Sequence, residues 1–338
     1  MTVSRRGELA QPPVSHRCLA TELADDVTVV VWSNPDFPDM PNDVRAGWIR
    51  TLYPNACVLV GADGPANSEP DDVQRAYTAA LLARHGRRPD VVVSCETYGP
   101  GLADFLGIKH EASGERRSFN GLSGTSVRAD VHAHRCFLAP TVYAHFVERV
   151  VLMGAESTGK STLTARLTAE YDTTQVQEYG REYYSERGGQ LDLDDYVTIA
   201  RVHREHEDNA AVQAVRYLFV DTNAITTMFF SHYYNRDSRP ELRDLADDCR
   251  DRYRHVIVCD DDIPFEQDGW RDNETWRARM QGMVLHDLAT RRIPFHIIRG
   301  TVDDRVTQVR AILAGNGPTL VHPPVSIGPR PVEGTHVS

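Results

Sequence analysis

A short stretch of the sequence, GAESTGKS at residues 154–161, has the residue types and spacing of a phosphate-binding loop. It matches GxxxxGK[ST] between a predicted strand and a predicted helix, the context that this motif requires. Glycines in such a loop let backbone N–H groups turn toward phosphate oxygens, beside the positive end of the following helix. We expect Lys160 to reach the β- and γ-phosphates and the Ser161 hydroxyl to bind Mg²⁺. The stretch predicts nucleotide binding by Gly154, Ala155, Glu156, Ser157, Thr158, Gly159, Lys160, Ser161 and Thr162.

Two carboxylates stand where the chemistry of such a site needs them. Asp221 closes the predicted strand YLFVD and is a candidate to hold the metal, although an aspartate there could instead cap the next helix. Glu178 ends the predicted strand after the loop's helix and is a candidate base or acceptor for a substrate hydroxyl. The alternative for Glu178 is a surface glutamate paired with Arg181.

An arginine and two weaker patterns complete the candidates. Arg271 lies in DIPFEQDGWRDN, which suits a mobile lid that excludes water and stabilises the transferring phosphoryl group, although it could also be a solvated arginine. His203 and His206 have a metal-compatible spacing, but a solvated helix face is favoured. The glycines of YGPGLADFLG lack the third glycine of GxGxxG, which excludes a dinucleotide-binding dehydrogenase.

Composition narrows the class of protein. The chain has 338 residues, enough for two domains, and a net charge of −11, which argues against broad contact with nucleic acid or anionic membrane. The six cysteines are scattered without a CxxC pair, which disfavours structural zinc and favours a reducing compartment. The sequence therefore predicts a cytoplasmic protein with small-molecule substrates, no nucleic-acid or membrane partner, and a homo-oligomeric state that is left open.

Strands and helices alternate along the chain twice, which predicts an α/β protein with two consecutive parallel-sheet domains. In the first half we expect strands at 27–32, 57–61 and 90–95, helices at 44–52 and 70–85, and a surface loop at 113–126. In the second half we expect five strands, with helices at 160–170, 193–215 and 302–314. Residues 1–24 are predicted to be a poorly ordered leader without a strand, 25–146 and 147–315 the two domains, and 316–338 a flexible tail.

Several of these segments together resemble one known family. VERVVLMGAESTGKSTL, QEYGREYY, FVDTNAITT and DDIPFEQDGWRDN resemble, in order and spacing, the ribosylnicotinamide kinase domain of the NadR family. DDVTVVVWS, RAGWIRTLYP and VVVSCETYGPGLADFLG are similar to the nicotinamide mononucleotide adenylyltransferase domain that precedes it in those proteins. The resemblance covers residues 25–314 and implies a nucleotidyltransferase-like Rossmann-type fold followed by a P-loop kinase fold.

The resemblance also implies a second nucleotide site, in the first half. LSGTSVR resembles the family's S-x-T-x-x-R phosphate-binding motif and implies binding by Ser123, Gly124, Thr125 and Arg128, the alternative being a helix N-cap with an exposed arginine. The family's HxGH motif corresponds to PVSH, of which His16 alone keeps its role, with Pro13 in place of the first histidine. Either the true start differs or this half has lost part of its chemistry. A helix-turn-helix repressor domain is not expected.

By this resemblance the chain is an enzyme of NAD salvage that uses ATP and Mg²⁺. The second domain would phosphorylate nicotinamide riboside to the mononucleotide, and the first would adenylate the mononucleotide to NAD. Two alternatives remain at this point: a kinase with a vestigial first domain, and a nucleotide-binding sensor of NAD level. The identity of the acceptor follows from the resemblance alone.

Overall fold

Apolar runs in the sequence become the strands of two parallel sheets. The computed structural model describes residues 2–4, 24–34, 37–94, 98–112, 124–264, 274–317 and 320–321. The chain divides into two compact units, Met1–Phe146 and Val147–Ser338.

The first unit is built on a five-stranded sheet with the order β3-β2-β1-β4-β5, and all of its pairings are parallel. This is the strand order of the Rossmann type, with a switch point between β1 and β4. The core contains Val30, Leu59, Leu82, Val92 and Leu102. The described elements of this unit are β1 (Thr2–Ser4), β2 (Thr28–Trp32), α1 (Asn42–Leu52), β3 (Cys57–Gly61), α2 (Asp71–Arg84), β4 (Val91–Ser94), α3 (Tyr98–Leu106), β5 (Lys109–Ala112), α4 (Gly124–Ala129) and α5 (Pro140–Tyr143), with 3₁₀ turns at Arg135–Phe137 and Ala144–Phe146.

Strand β1 corrects one prediction from the sequence. No strand was expected before residue 25, yet Thr2–Ser4 pair with β2 on one side and with β4 on the other. Three residues carry too little pattern to predict a strand, and the backbone partners that complete this one come from residues 29–31 and 93, far along the chain. Residues 5–23 lie outside the described residues.

The second unit is also a parallel sheet, with the order β10-β9-β6-β8-β7. Strand β6 is central, and its residues Val150 and Leu152 pack in a core with Phe219, Ile257 and Ile298. The described elements of this unit are β6 (Glu148–Met153), α6 (Lys160–Tyr171), β7 (Thr174–Val176), α7 (Tyr179–Glu186), α8 (Leu193–Ala211), β8 (Tyr217–Asp221), α9 (Ala224–Asn235), α10 (Pro240–Asp247), α11 (Cys249–Arg252), β9 (His255–Cys259), α12 (Glu274–Thr290), β10 (His296–Ile298) and α13 (Val302–Leu313).

Several elements differ from the sequence-based expectations. The expected surface loop at 113–126 contributes the start of α4, and helix α3 is not among the helices expected from the sequence. Helix α3 tolerates its proline because Pro100 lies in the first turn, and Gly99 is required because a Cβ there would lie 1.7 Å from the Ser94 hydroxyl oxygen. The expected flexible tail is ordered at Val321, which forms an antiparallel bridge with Phe295.

Candidate active site

The loop between β6 and α6 has the backbone that its glycines predict. Three of its residues have positive φ: Gly154 at 135°, Ser157 at 57° and Gly159 at 79°. At Gly154 a Cβ would lie 2.6 Å from the carbonyl oxygen of Cys259, so only glycine fits there. These turns wrap the chain around the first turn of α6, whose N–H groups have no partner within the helix. The arrangement is a nest for an anion such as phosphate.

Lys160 lies across this loop. Its Nζ donates a 2.7 Å hydrogen bond to the carbonyl oxygen of Ala155, and its side chain is largely buried at the start of α6. Thr158 Oγ1 donates to the same oxygen over 2.8 Å. Because the ammonium group is already held over the loop, its charge can reach phosphate oxygens with little rearrangement.

Ser161, in the first turn of α6, contacts Asp221, the last residue of β8. The Ser161 hydroxyl donates a 2.5 Å hydrogen bond to Asp221 Oδ2, and the Asp221 side chain is buried. Within the described part of the chain, Asp221 Oδ1 is buried and accepts no hydrogen bond. A buried carboxylate oxygen without a donor is costly unless a cation or a donor comes to it. The hydroxyl and carboxylate oxygens are also the ligands that Mg²⁺ prefers, so this pair fits a magnesium ion.

The turn after β8 shows why Asp221 is not a helix cap. Asn223 takes the N-cap position of α9, and its side-chain oxygen accepts from the N–H of Ile225. Thr222, between them, has φ of 63°, a costly conformation for a β-branched residue. Its N–H donates to Leu152 of β6 over 3.0 Å, which holds the turn beside the phosphate loop. The capping alternative for Asp221 is therefore wrong.

A cavity of about 690 Å³ opens beside the phosphate loop. One wall consists of loop residues, which include Lys160 and Ser161. The other walls come from α7, α8 and α9, the helices next to strands β7 and β8. Five aromatic side chains line it: Tyr179, Tyr184, Tyr196, Phe230 and Tyr234. The size and the mixture of rings with a few polar groups are typical of a small-molecule site.

Glu178 lines this cavity together with the loop and lies one residue before α7. It lies two residues beyond the end of β7 rather than closing the strand as predicted. The Glu178 side chain is 25% exposed, and its partial burial raises its pKa. The negative charge of Asp221 raises the pKa further, whereas Lys160 and Arg181 oppose the shift. The Arg181 pairing exists, but at 3.9 Å and with the arginine side chain 69% exposed. The predicted cavity position and the alternative ion pair are therefore both present, and the ion pair is weak.

The solvated helix face expected for His203 is wrong, because this residue lies on the buried face of α8. Its ring is buried and lines the cavity, and burial lowers its pKa. His206, three residues on, is exposed and forms an edge contact with the Tyr179 ring. The two histidines thus differ in environment, because α8 buries the face that carries His203.

Two buried polar side chains that no motif predicted hold the phosphate loop from behind. Gln281 of α12 accepts from the N–H of Ala155 over 2.9 Å and donates to the carbonyl of Cys259 over 3.1 Å. Arg305 of α13 donates to the carbonyl of Thr158. Both side chains are almost fully buried. For Arg305 a signal did exist in the sequence, since it lies on a face of α13 that otherwise carries apolar residues, whereas Gln281 shares its face of α12 with another buried polar residue, Arg277.

In the first unit the structure describes part of the predicted phosphate motif. Gly124, Thr125 and Arg128 lie in the six-residue helix α4, where Arg128 donates to Thr125 Oγ1 over 3.1 Å. The guanidinium of Arg128 also lies 4.7 Å from the centre of the Phe37 ring. The predicted site residues His16, Ser123 and Arg271 lie outside the described residues.

Comparisons with known proteins match both the second unit and most of the chain. A family described as an AAA domain matches residues 149–305, the part that carries the phosphate loop. The trifunctional NAD biosynthesis/regulator protein NadR of Escherichia coli strain K12 is 31% identical over 270 residues, which are 76% of this chain and 65% of that protein. NadR of Salmonella typhimurium strain LT2 is 31% identical over 242 residues, 69% of this chain and 58% of that protein.

The chain is homologous to NadR. It spans 65% and 58% of the lengths of these two NadR proteins. A crystal structure of a NadR protein in complex with NR has a TM-score of 0.64 at 20% identity, covering 89% of this chain and 91% of that one. Another, in complex with NAD and AMP-PNP, has a TM-score of 0.63 at 19% identity, covering 91% and 92%. At these identities the likeness to the solved NadR structures establishes the α/β fold with parallel sheets.

No helix among the described residues is both long enough and apolar enough to cross a membrane.

Proposed function

We propose that the second unit is a kinase that transfers the γ-phosphoryl group of ATP to nicotinamide riboside and so produces nicotinamide mononucleotide. The observation that carries the proposal is one cavity that is lined both by the phosphate loop and by Glu178. Homology to proteins described as NAD biosynthesis/regulator proteins supports the substrate class, and so does the solved NadR complex with NR.

The donor end of the reaction rests on the loop and on Asp221. The loop N–H groups and the Lys160 ammonium group would bind the β- and γ-phosphates and stabilise charge on the transferring group. Ser161 and Asp221 would hold Mg²⁺, a fit supported by the buried Oδ1 of Asp221. Bound Mg²⁺ would neutralise charge on the triphosphate.

The acceptor end rests on Glu178. A hydroxyl oxygen of the riboside would attack the γ-phosphorus, its proton would pass to the Glu178 carboxylate, and ADP would leave. Burial raises the pKa of Glu178 above its ordinary value, and a carboxylate with a raised pKa is a stronger proton acceptor. Without such a group the attacking oxygen would carry an extra proton into the transition state.

The charges of the cavity favour a nucleoside over a nucleotide as acceptor. Among the described residues that line it, the fixed cations are Lys160, which belongs to the donor site, and Arg181, which is mostly exposed. A nucleotide acceptor would need buried cations for its own phosphate. The positive pyridinium ring of nicotinamide riboside instead suits a carboxylate and the faces of tyrosine rings.

For the first unit we propose adenylyl transfer from ATP to the mononucleotide. The strand order with its switch point between β1 and β4 supports a nucleotide site there, and Arg128 and Thr125 would bind phosphate. The alternative of a vestigial first unit depends on Pro13 in place of a histidine, since proline has neither a side-chain donor nor a backbone N–H. Cytoplasmic location also remains part of the proposal.

Incubation of the full chain with ATP, Mg²⁺ and nicotinamide riboside tests the kinase assignment. Mass spectrometry should find ADP in an amount equal to the sum of nicotinamide mononucleotide and any NAD formed from it, over many turnovers, which would also exclude a sensor that only binds nucleotide. Thymidine is the matched control acceptor, because it carries a hydroxyl and a base but no positive ring. Turnover of thymidine at the rate of the riboside, or no turnover of the riboside, would contradict the proposed acceptor.

A further inference from the structure

One buried guanidinium joins the phosphate loop to two neighbouring segments. Arg305 is 2% exposed and donates from Nη1 to the carbonyl of Thr158 in the loop. Its Nη2 donates to the carbonyl of Asp260 over 3.1 Å and to Asp262 Oδ1 over 2.5 Å, just after strand β9. Its Nε donates to the carbonyl of Gly300 over 2.9 Å, just after β10. The planar fork of arginine makes these bonds possible at once, which an ammonium group could not do.

The segments that Arg305 joins also bond to one another. Asp262 Oδ2 accepts from the N–H of Gly300 over 2.6 Å, so Asp262 bridges Gly300 and the guanidinium. Burial alone would raise the pKa of Asp262, but these two donors keep it below its ordinary value. The carboxylate is therefore charged and pairs with the buried arginine. A buried arginine with a charged partner and bonded carbonyls is a fixed element rather than a side chain free to rotate.

Arg305 bonds to segments on the side of the sheet that lies away from most of the acceptor cavity. Strands β9 and β10 lie on one side of β6, whereas β8 and β7 lie on the other. The residues around the acceptor cavity, apart from the loop itself and Met280, come from the β8 and β7 side. A nucleotide with its phosphates in the loop can therefore extend along the sheet edge over the segments that follow β9 and β10. Arg305 donates hydrogen bonds to both of these segments.

We propose that Arg305 is a positioning residue for the phosphate donor: by bonding Thr158, Asp262 and Gly300 together, it holds the loop in the conformation that binds the nucleotide phosphates. It acts through these segments rather than on the substrate. A Cβ on Gly159 would lie 3.6 Å from Nη1, so the guanidinium lies directly behind a left-handed turn of the loop. This inference rests on the proposed use of the loop as the ATP site.

The chain offers a matched control in Arg277. Its side chain is also buried, and it donates to the carbonyls of Asp261 and Ile263 over 3.1 and 2.9 Å. Arg277 therefore holds the same segment after β9, but from helix α12. Both Arg277→Lys and Arg305→Lys should destabilise the segment after β9. Only Arg305→Lys should also lose the hydrogen bond to the Thr158 carbonyl.

The test uses calorimetry on the full-length protein. One titration measures the binding of ADP without metal, and a second measures the binding of nicotinamide riboside. Arg305→Lys keeps the charge but cannot span the three segments, and it should raise the Kd of ADP about 10-fold, or about 1.4 kcal/mol. Arg277→Lys should change the Kd of ADP by less than about 2-fold, and the Kd of the riboside should stay within about 2-fold in both variants. In Arg305→Lys the KM for ATP should rise, whereas the KM for the riboside should not.

Equal weakening of ADP binding by the two lysine variants would overturn the inference, because it would indicate general loss of the segment. Unchanged ADP binding by Arg305→Lys, or parallel weakening of ADP and riboside, would overturn it too. If the wild-type protein binds ADP but does not phosphorylate the riboside, the proposed function fails, and the inference is still decided by ADP binding. If the wild-type protein binds no ADP, both fail.

Discussion

The Ser161 hydroxyl and the Asp221 carboxylate lie 2.5 Å apart although sixty residues separate them in the sequence. The pairing arises because β6 and β8 are adjacent and parallel, so that the loop after one strand and the last residue of the other reach the same sheet edge. It brings the proposed magnesium ligands together before any ligand binds. A site assembled in this way spends little binding energy on rearrangement.

Lys160→Ala should lower kcat for riboside phosphorylation by about 10² to 10³, the usual effect of losing one electrostatic contact to a transferring group. Its ammonium group lies within the loop, and alanine leaves the bond to the Ala155 carbonyl unmade. Initial rates with saturating ATP and riboside measure this effect. A variant with a near wild-type rate would show that the loop does not serve catalysis.

Asp221→Asn should abolish most of the stabilisation that Mg²⁺ adds to nucleotide binding. Asparagine can still accept the Ser161 hydrogen bond, but the side chain loses the charge that holds a divalent cation. The measurement is the shift in Tm with ADP, with and without Mg²⁺. The ADP shift without metal should persist, and an unchanged magnesium increment in the variant would exclude Asp221 as a ligand.

Glu178→Gln should lower riboside turnover while ADP binding persists, because glutamine keeps the size of the side chain but cannot accept the proton. Calorimetry with ADP and steady-state rates with riboside separate the two effects. Equal loss of ADP affinity would point to a role on the nucleotide side.

The difference in stability between the wild type and Glu178→Gln should depend on pH. Because the folded protein raises the pKa of Glu178 above 4.5, its charged form destabilises the folded state, and stability falls as pH rises from 4.5 through the raised pKa. Glutamine removes this cost, so Glu178→Gln should unfold at a higher temperature than wild type near pH 7.5. The difference should shrink toward pH 4.5. A difference that grew on acidification would contradict the raised pKa.

Arg271→Ala should depress kcat more than it raises the KM for ATP, if Arg271 acts mainly in the transition state as the sequence predicts. The residue lies outside the described residues, so its role remains a prediction. Steady-state kinetics with varied ATP test it, and an effect confined to KM would reduce Arg271 to ground-state binding.

The time course of both products tests the first unit. If Pro13 removes one or two phosphate contacts worth roughly 1.5 to 3 kcal/mol each, adenylyl transfer should be about 10- to 10⁴-fold slower than in an intact site. Nicotinamide mononucleotide should then accumulate from riboside and ATP. Prompt conversion to NAD would mean that another residue replaces the missing histidine.

The sequence by itself determined the parts of this protein that depend on local pattern. The spacing of the motif predicted the phosphate loop with Gly154, Gly159 and Lys160, because a turn with positive φ and the start of a helix depend on neighbouring residues. The structure has positive φ at both glycines and a helix that begins at Lys160. Apolar runs predicted most strands for the same reason, since parallel strands buried on both faces require them. The NadR resemblance, which the homology confirms, also came from ordered local motifs.

Only the tertiary structure decided which distant groups meet. Strand β1 exists because β2 and β4 supply its partners, and Arg305 is fully buried because three segments far apart in sequence converge on it. Likewise, the burial that raises the pKa of Glu178 depends on the packing of separate elements around it. Local sequence can suggest that such a polar residue is buried, but it does not show which distant segments the residue contacts, because those contacts depend on how the elements pack.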